Sequence, residues 1–108
     1  MFRYTTARRG AYSDEEIALT LDAVRDLGGP VNYYRAAGRD LFRQRWERID
    51  APVLVIWGER DRWLGAELAE PDARWVPHAR VERVPDASHW VQADAPDRVN
   101  DLLLGFLR

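Results

Sequence analysis

The sequence contains no cysteine. Disulfide bridges and thiolate metal sites are therefore excluded. Lysine is equally absent. All 16 basic residues are arginine, which reads as genomic composition bias before any functional demand. Against them stand 18 acidic residues, for a formal net charge of -2. The signs are mixed along the chain, so no polybasic run marks a nucleic acid or a membrane surface as a partner. No stretch approaches the roughly 18 consecutive apolar residues of a membrane helix. Met1 to Gly10 is polar and arginine-containing, without the apolar core of a secretory signal. A cytoplasmic location is the expectation from these absences. What is present is ordinary: 108 residues, 46% hydrophobic and 31% charged, suit one small globular domain with a modest core.

The first half reads as helical. Ser13 is a good N-cap, and Glu16 three residues later completes a capping box. Ile17, Leu21, Val24 and Leu27 follow as an apolar stripe, and Gly28-Gly29 are expected to end the helix. Pro30 can open a second helix whose stripe includes Val31, Tyr34, Gly38 and Leu41. Residues 13 to 46 thus predict a helical pair. The character changes at Ile49. Val53-Leu54-Val55-Ile56-Trp57 is a continuous β-branched and aromatic run between turn residues, as expected for a strand apolar on both faces of a parallel sheet. A helical stretch is expected over Ala66 to Trp75, and a second strand over Val81 to Val84, stopped by Pro85-Asp86. Strand, helix, strand at this spacing is a βαβ unit. Asp94 is the expected N-cap of a final amphipathic helix, with Val99, Leu102, Leu103, Phe106 and Leu107 on its apolar face. Two strands make a poor sheet. The pattern therefore describes part of a larger α/β sheet better than a whole one.

Two residues stand out for chemistry. Asp61 follows the C-terminal end of the first strand, and His89 follows the second. Ligands of open α/β sheets bind outside the carboxyl ends of the strands. Two side chains delivered there by successive strands can meet. A carboxylate that holds one imidazole nitrogen leaves the other free to take a proton. The plainer readings stay open: an aspartate in a strand-end turn also satisfies turn N–H groups, and a loop histidine is often only solvated. His78 reads as solvated. Asp40, Glu47 and Asp50 form no ligand constellation with either histidine, so no metal and no organic cofactor is expected.

The run Ala51-Pro52-Val53-Leu54-Val55-Ile56-Trp57-Gly58-Glu59-Arg60-Asp61 resembles the acid-bearing strand and turn of α/β-hydrolases. Asp86-Ala87-Ser88-His89-Trp90-Val91-Gln92 resembles their histidine loop, and Asp94-Ala95-Pro96-Asp97-Arg98-Val99-Asn100 the start of their last helix. Trp75-Val76-Pro77 and Asn32-Tyr33-Tyr34-Arg35-Ala36 are similar to segments of epoxide hydrolases, the latter to the end of the cap domain. The resemblance implies the C-terminal portion of an α/β-hydrolase fold. Residues 1–48 would be a helical cap remnant, and residues 49–108 two parallel strands with flanking helices.

It also implies roles. A nucleophilic aspartate opens an epoxide to an alkyl-enzyme ester, cap tyrosines bond the epoxide oxygen, and a His–Asp pair activates the water that hydrolyses the ester. Carried over, His89 is the base, Asp61 its orienting acid and Tyr34 one of the two phenols; a packed aromatic is the plainer reading of Tyr34. Tyr33, next in the helix, is expected to point elsewhere. The family's elbow of the form G-x-[S/D]-x-G occurs nowhere in the sequence. The reading is thus a hydrolase fragment acting on a small apolar epoxide once completed by an N-terminal half, or self-associated without it. A haloalkane or haloacid dehalogenase-like fragment and a non-catalytic remnant or interaction module are the alternatives.

Overall fold

The computed structural model describes residues 6–25, 28–40 and 47–108. Two compact units divide the chain, Ser13–Glu47 and Met1–Tyr12 with Arg48–Arg108.

The first unit is helical. Helix α1 spans Asp14–Ala23 and starts with the expected capping box. The Ser13 hydroxyl accepts from the Glu16 N–H at 3.2 Å, and the Glu16 carboxylate accepts from the Ser13 N–H at 2.7 Å. The helix stops earlier than expected. Val24 and Arg25 turn back to bond the Thr20 and Asp22 carbonyls, so the last turn closes without a glycine. Gly28 and Gly29 instead begin α2, Gly28–Asp40. Pro30 sits in its first turn, where a missing N–H loses no intrahelical partner. Leu27, Leu41 and the rest of residues 41–46 lie outside the described residues. Tyr33 and Tyr34 are both exposed on α2, and their rings meet edge to face at 5.6 Å. Adjacent helix positions diverge, but two large rings still span the gap.

The second unit is built on two parallel strands, β1 (Val53–Gly58) and β2 (Ala79–Val84), paired from Val53↔Ala79 to Gly58↔Val84. β2 begins two residues earlier than the sequence suggests. The expected crossover helix is absent: one 3-10 turn, Ala66–Ala69, is followed by irregular chain. Pro71 explains the difference. The residue before a proline is driven out of the helical region, and Glu70 is extended at φ -98, ψ 99. Asp72 then accepts the Arg74 N–H with its side chain at 2.8 Å, and its carbonyl accepts from Trp75 and Val76. Arg74 holds the exposed Asp72 carboxyl down to about 2.

After β2 the chain makes a helical turn, α3 (Val91–Asp94), and then α4 (Pro96–Phe106). The buried apolar residues are Val84 at the end of β2, Ala87 in the histidine loop, Val99 and Leu102 on α4, and Ala69 in the crossover. The α4 stripe is narrower than expected, for Leu103 and Leu107 are exposed. β1 is half-buried rather than covered on both faces; only Gly58, at its end, is buried. Among the described residues no helix is long and apolar enough to cross a membrane.

Candidate active site

Register decides what the strands deliver. Parallel pairing puts the carboxyl ends of β1 and β2 side by side, with Gly58 opposite Val84. The two outgoing loops are then stitched together. Glu59 donates its N–H to the Val84 carbonyl at 3.0 Å, and Arg60 donates to Ala87 at 2.8 Å. The Arg60 guanidinium also pairs with Asp86. Gly58 is there because nothing larger fits. A Cβ built on it would lie 2.1 Å from the Ser88 carbonyl oxygen and 2.6 Å from that of Ala87.

This stitching brings Asp61 and His89, 28 positions apart, to 2.8 Å between Oδ2 and Nδ1. The Asp61 side chain is 6% exposed and that of His89 36%. The other carboxylate oxygen, Oδ1, accepts the N–H groups of Trp63 at 2.8 Å and Leu64 at 3.1 Å. Turn chemistry and pairing with histidine thus occupy opposite oxygens of one group. Burial pushes the Asp61 carboxyl up. The bond to His89 and the amides of Trp63 and Leu64 outweigh it and hold the group below the ordinary carboxylate range. An ionised carboxylate only accepts, so Nδ1 carries a proton, and in the neutral imidazole Nε2 presents its lone pair. Among the described residues nothing bonds Nε2. A half-exposed imidazole in a fixed tautomer, backed by a buried anion, can take a proton from water. The Trp90 ring stands edge-on to His89 at 5.4 Å.

Tyr34, the third candidate, belongs to the helical unit, where its side chain is exposed. His78 is exposed and contributes its carbonyl to the Val53 N–H. Asp50 pairs with Arg48 at 2.6 Å. Among the described residues no three His, Asp or Glu side chains gather where they could hold a metal ion.

Three residues around the pair escaped the sequence reading. Gly58 is one, recognisable only as a small residue at a strand end. Ser88 and Asp94 are the others. Asp94 is no N-cap: Ala95 occupies that position, with Pro96 as the first residue of α4. The Asp94 carboxylate instead accepts the Ser88 N–H at 2.9 Å and the Ala7 and Arg8 N–H groups at 3.0 and 2.8 Å. A cap has at most three local donors to offer. The folded loop and residues 7–8 offer more, and they win.

A family model described as alpha/beta hydrolase family matches residues 1–102. The chain belongs to the alpha/beta hydrolase family. Its relatives include human epoxide hydrolase 4, 37% identical over 83 residues, which are 76% of this chain and 23% of that protein. AB hydrolase superfamily protein YfhM of Bacillus subtilis is 29% identical over 104 residues, 94% of this chain and 36% of its own. Mouse bifunctional epoxide hydrolase 2 is 28% identical over 104 residues, 89% of this chain and 18% of its own. This alpha/beta hydrolase chain therefore spans about a quarter of the length of the human relative. Two parallel strands in an open sheet with flanking helices are what a part of that fold consists of.

Proposed function

We propose that the chain carries the water-activating half of an epoxide-hydrolase-type active site. The observation that carries this reading is the 2.8 Å bond between His89 Nδ1 and a buried Asp61 carboxylate. The names of the human and mouse relatives supply the reaction class. In this reading a carboxylate nucleophile from a segment outside the 108 residues attacks an epoxide carbon. The ring C–O bond breaks, and the oxygen takes a proton from a phenol, which we assign to Tyr34 of the helical unit. His89 Nε2 then takes a proton from water. The hydroxide attacks the ester carbonyl, and the ester C–O bond breaks. The diol leaves with the proton of the carboxylic acid so formed, and the carboxylate is restored. The proton on the imidazolium returns through solvent to the phenolate. Asp61 keeps the imidazole in the right tautomer and stabilises the imidazolium that forms.

The test is complementation. The chain should not hydrolyse a simple aryl epoxide alone, because covalent catalysis needs a nucleophile. Mixed with a fragment of a family member that carries the elbow, it should give diol. His89→Ala should stop that mixture at the alkyl-enzyme ester, seen as a mass increase on the elbow fragment. Diol formation in the mixture that survives His89→Ala would end the proposal.

A further inference from the structure

We infer that Asp94, acting through Ser88, is a positioning residue for His89. The inference rests on the reading of His89 as the water-activating base. Asp94 Oδ2 accepts both the backbone N–H and the hydroxyl of Ser88, and the Ala7 N–H besides; Oδ1 accepts the Arg8 N–H. Ser88 is 5% exposed, and its hydroxyl both donates and accepts. It donates to Asp94, and a lone pair on the same oxygen accepts the Trp90 N–H at 3.2 Å. The residues on both sides of His89 are therefore held by one hydroxyl, and that hydroxyl is oriented by one carboxylate.

The opposite side of the loop is fixed as well. The Ala87 and Ser88 carbonyls rest against Gly58, and the Ala87 carbonyl accepts the Arg60 N–H. The His89 backbone is thus clamped between the end of β1 and Asp94. The clamp matters because the pair it serves has little tolerance: moving His89 by roughly 1 Å takes a 2.8 Å contact beyond hydrogen-bond range. Burial pushes the Asp94 carboxyl up, but the Ser88 hydroxyl and the amides of Arg8, Ala7 and Ser88 outweigh it, so the group stays an acceptor. A merely structural Asp94 would tie residues 7–8 to this unit and leave the imidazole indifferent to its loss.

The two roles separate by nitrogen-15 NMR of histidine-labelled chain. The sequence has only 2 histidines, so His78 is an internal reference that shares no bond with Asp94. The measurement also works on associated material in the solid state. In the unsubstituted chain His89 should be the Nδ1–H tautomer. Asp94→Asn, which turns a donor toward the loop amides, and Ser88→Ala should each convert a large share of His89 to mixed tautomers. His78 should not move, and the double variant should be no worse than Asp94→Asn. If Asp94→Asn fails to fold, Ser88→Ala decides alone. A folded Ser88→Ala or Asp94→Asn chain with an unchanged His89 tautomer overturns the inference. An unsubstituted chain whose His89 is not Nδ1–H overturns the water-activation reading itself, and the inference with it.

Discussion

Replacing Gly58 by alanine adds one methyl group at the tightest point of the site. That methyl would stand 2.1 Å from the Ser88 oxygen, 2.6 Å from the Ala87 oxygen and 2.8 Å from the Ala87 carbonyl carbon. Ordinary carbon–oxygen contact is about 3.3 Å, so the overlap is roughly 1 Å. All three atoms are backbone, and no rotamer change relieves them. Either the end of β1 moves off the ladder, at the expense of the Glu59–Val84 and Arg60–Ala87 bonds, or the histidine loop moves and takes His89 from Asp61. Overpacking of this kind costs about 1–3 kcal/mol, and each lost backbone bond about 1 kcal/mol more. At roughly 4–8 °C per kcal/mol for a unit of this size, the melting temperature should fall by about 10 °C or more. A complemented enzyme should lose on the order of 100-fold in activity from the displaced base. Gly105→Ala is the matched control. It is the same chemical change in α4, with no atom within 4 Å of the new methyl, and it should stabilise by up to about 1 kcal/mol. Thermal melts of the two variants by circular dichroism decide the matter. A Gly58→Ala chain that melts with the unsubstituted one would refute the close approach and the clamp built on it.

Asp61→Asn should keep the loop in place, since the amide oxygen can still accept from Trp63 and Leu64, and should lose only the stability that the ionised carboxylate supplies at neutral pH. Its NH2 would face His89, force the lone pair onto Nδ1 and the proton onto Nε2, and cost on the order of 10,000-fold in ester hydrolysis, read by single-turnover kinetics of a complemented enzyme. Acid should destabilise the second unit in a defined window. Asp61 and Asp94 are both held below the ordinary carboxyl value, so their contribution is complete above about pH 4 to 5 and is lost as pH falls through their folded values. Urea midpoints should therefore be level from neutral pH down to about 5 and drop below 4, less steeply in Asp94→Asn; a profile that rises on acidification would refute the assignment.

The parts of this molecule that are legible in its sequence are those fixed by local chemistry. The capping box at Ser13 and Glu16 needs only four residues to declare itself. The Val53–Trp57 run reads as a strand, and parallel pairing with the next strand brings Asp61 and His89 to the same edge of the sheet. The misread parts share a different cause. The pattern over Ala66 to Trp75 is helical, yet Pro71 outranks it. Asp94 precedes an amphipathic run and a proline, which is what a cap looks like, but distant amides claim its carboxylate. Gly58 looks like a turn residue, when its reason is a backbone 30 positions away. Propensity says what a residue does for its neighbours in sequence; it is silent about donors that the fold brings later. In an active site this division has a consequence. The reacting pair has its chemistry written in its side chains, whereas the residues that hold the pair to within 1 Å are chosen by tertiary contact and carry no signature of their own. Under the proposed function, losses of activity should therefore arise at Gly58, Ser88 and Asp94 as readily as at Asp61 and His89, because a base held in the wrong place is no base at all.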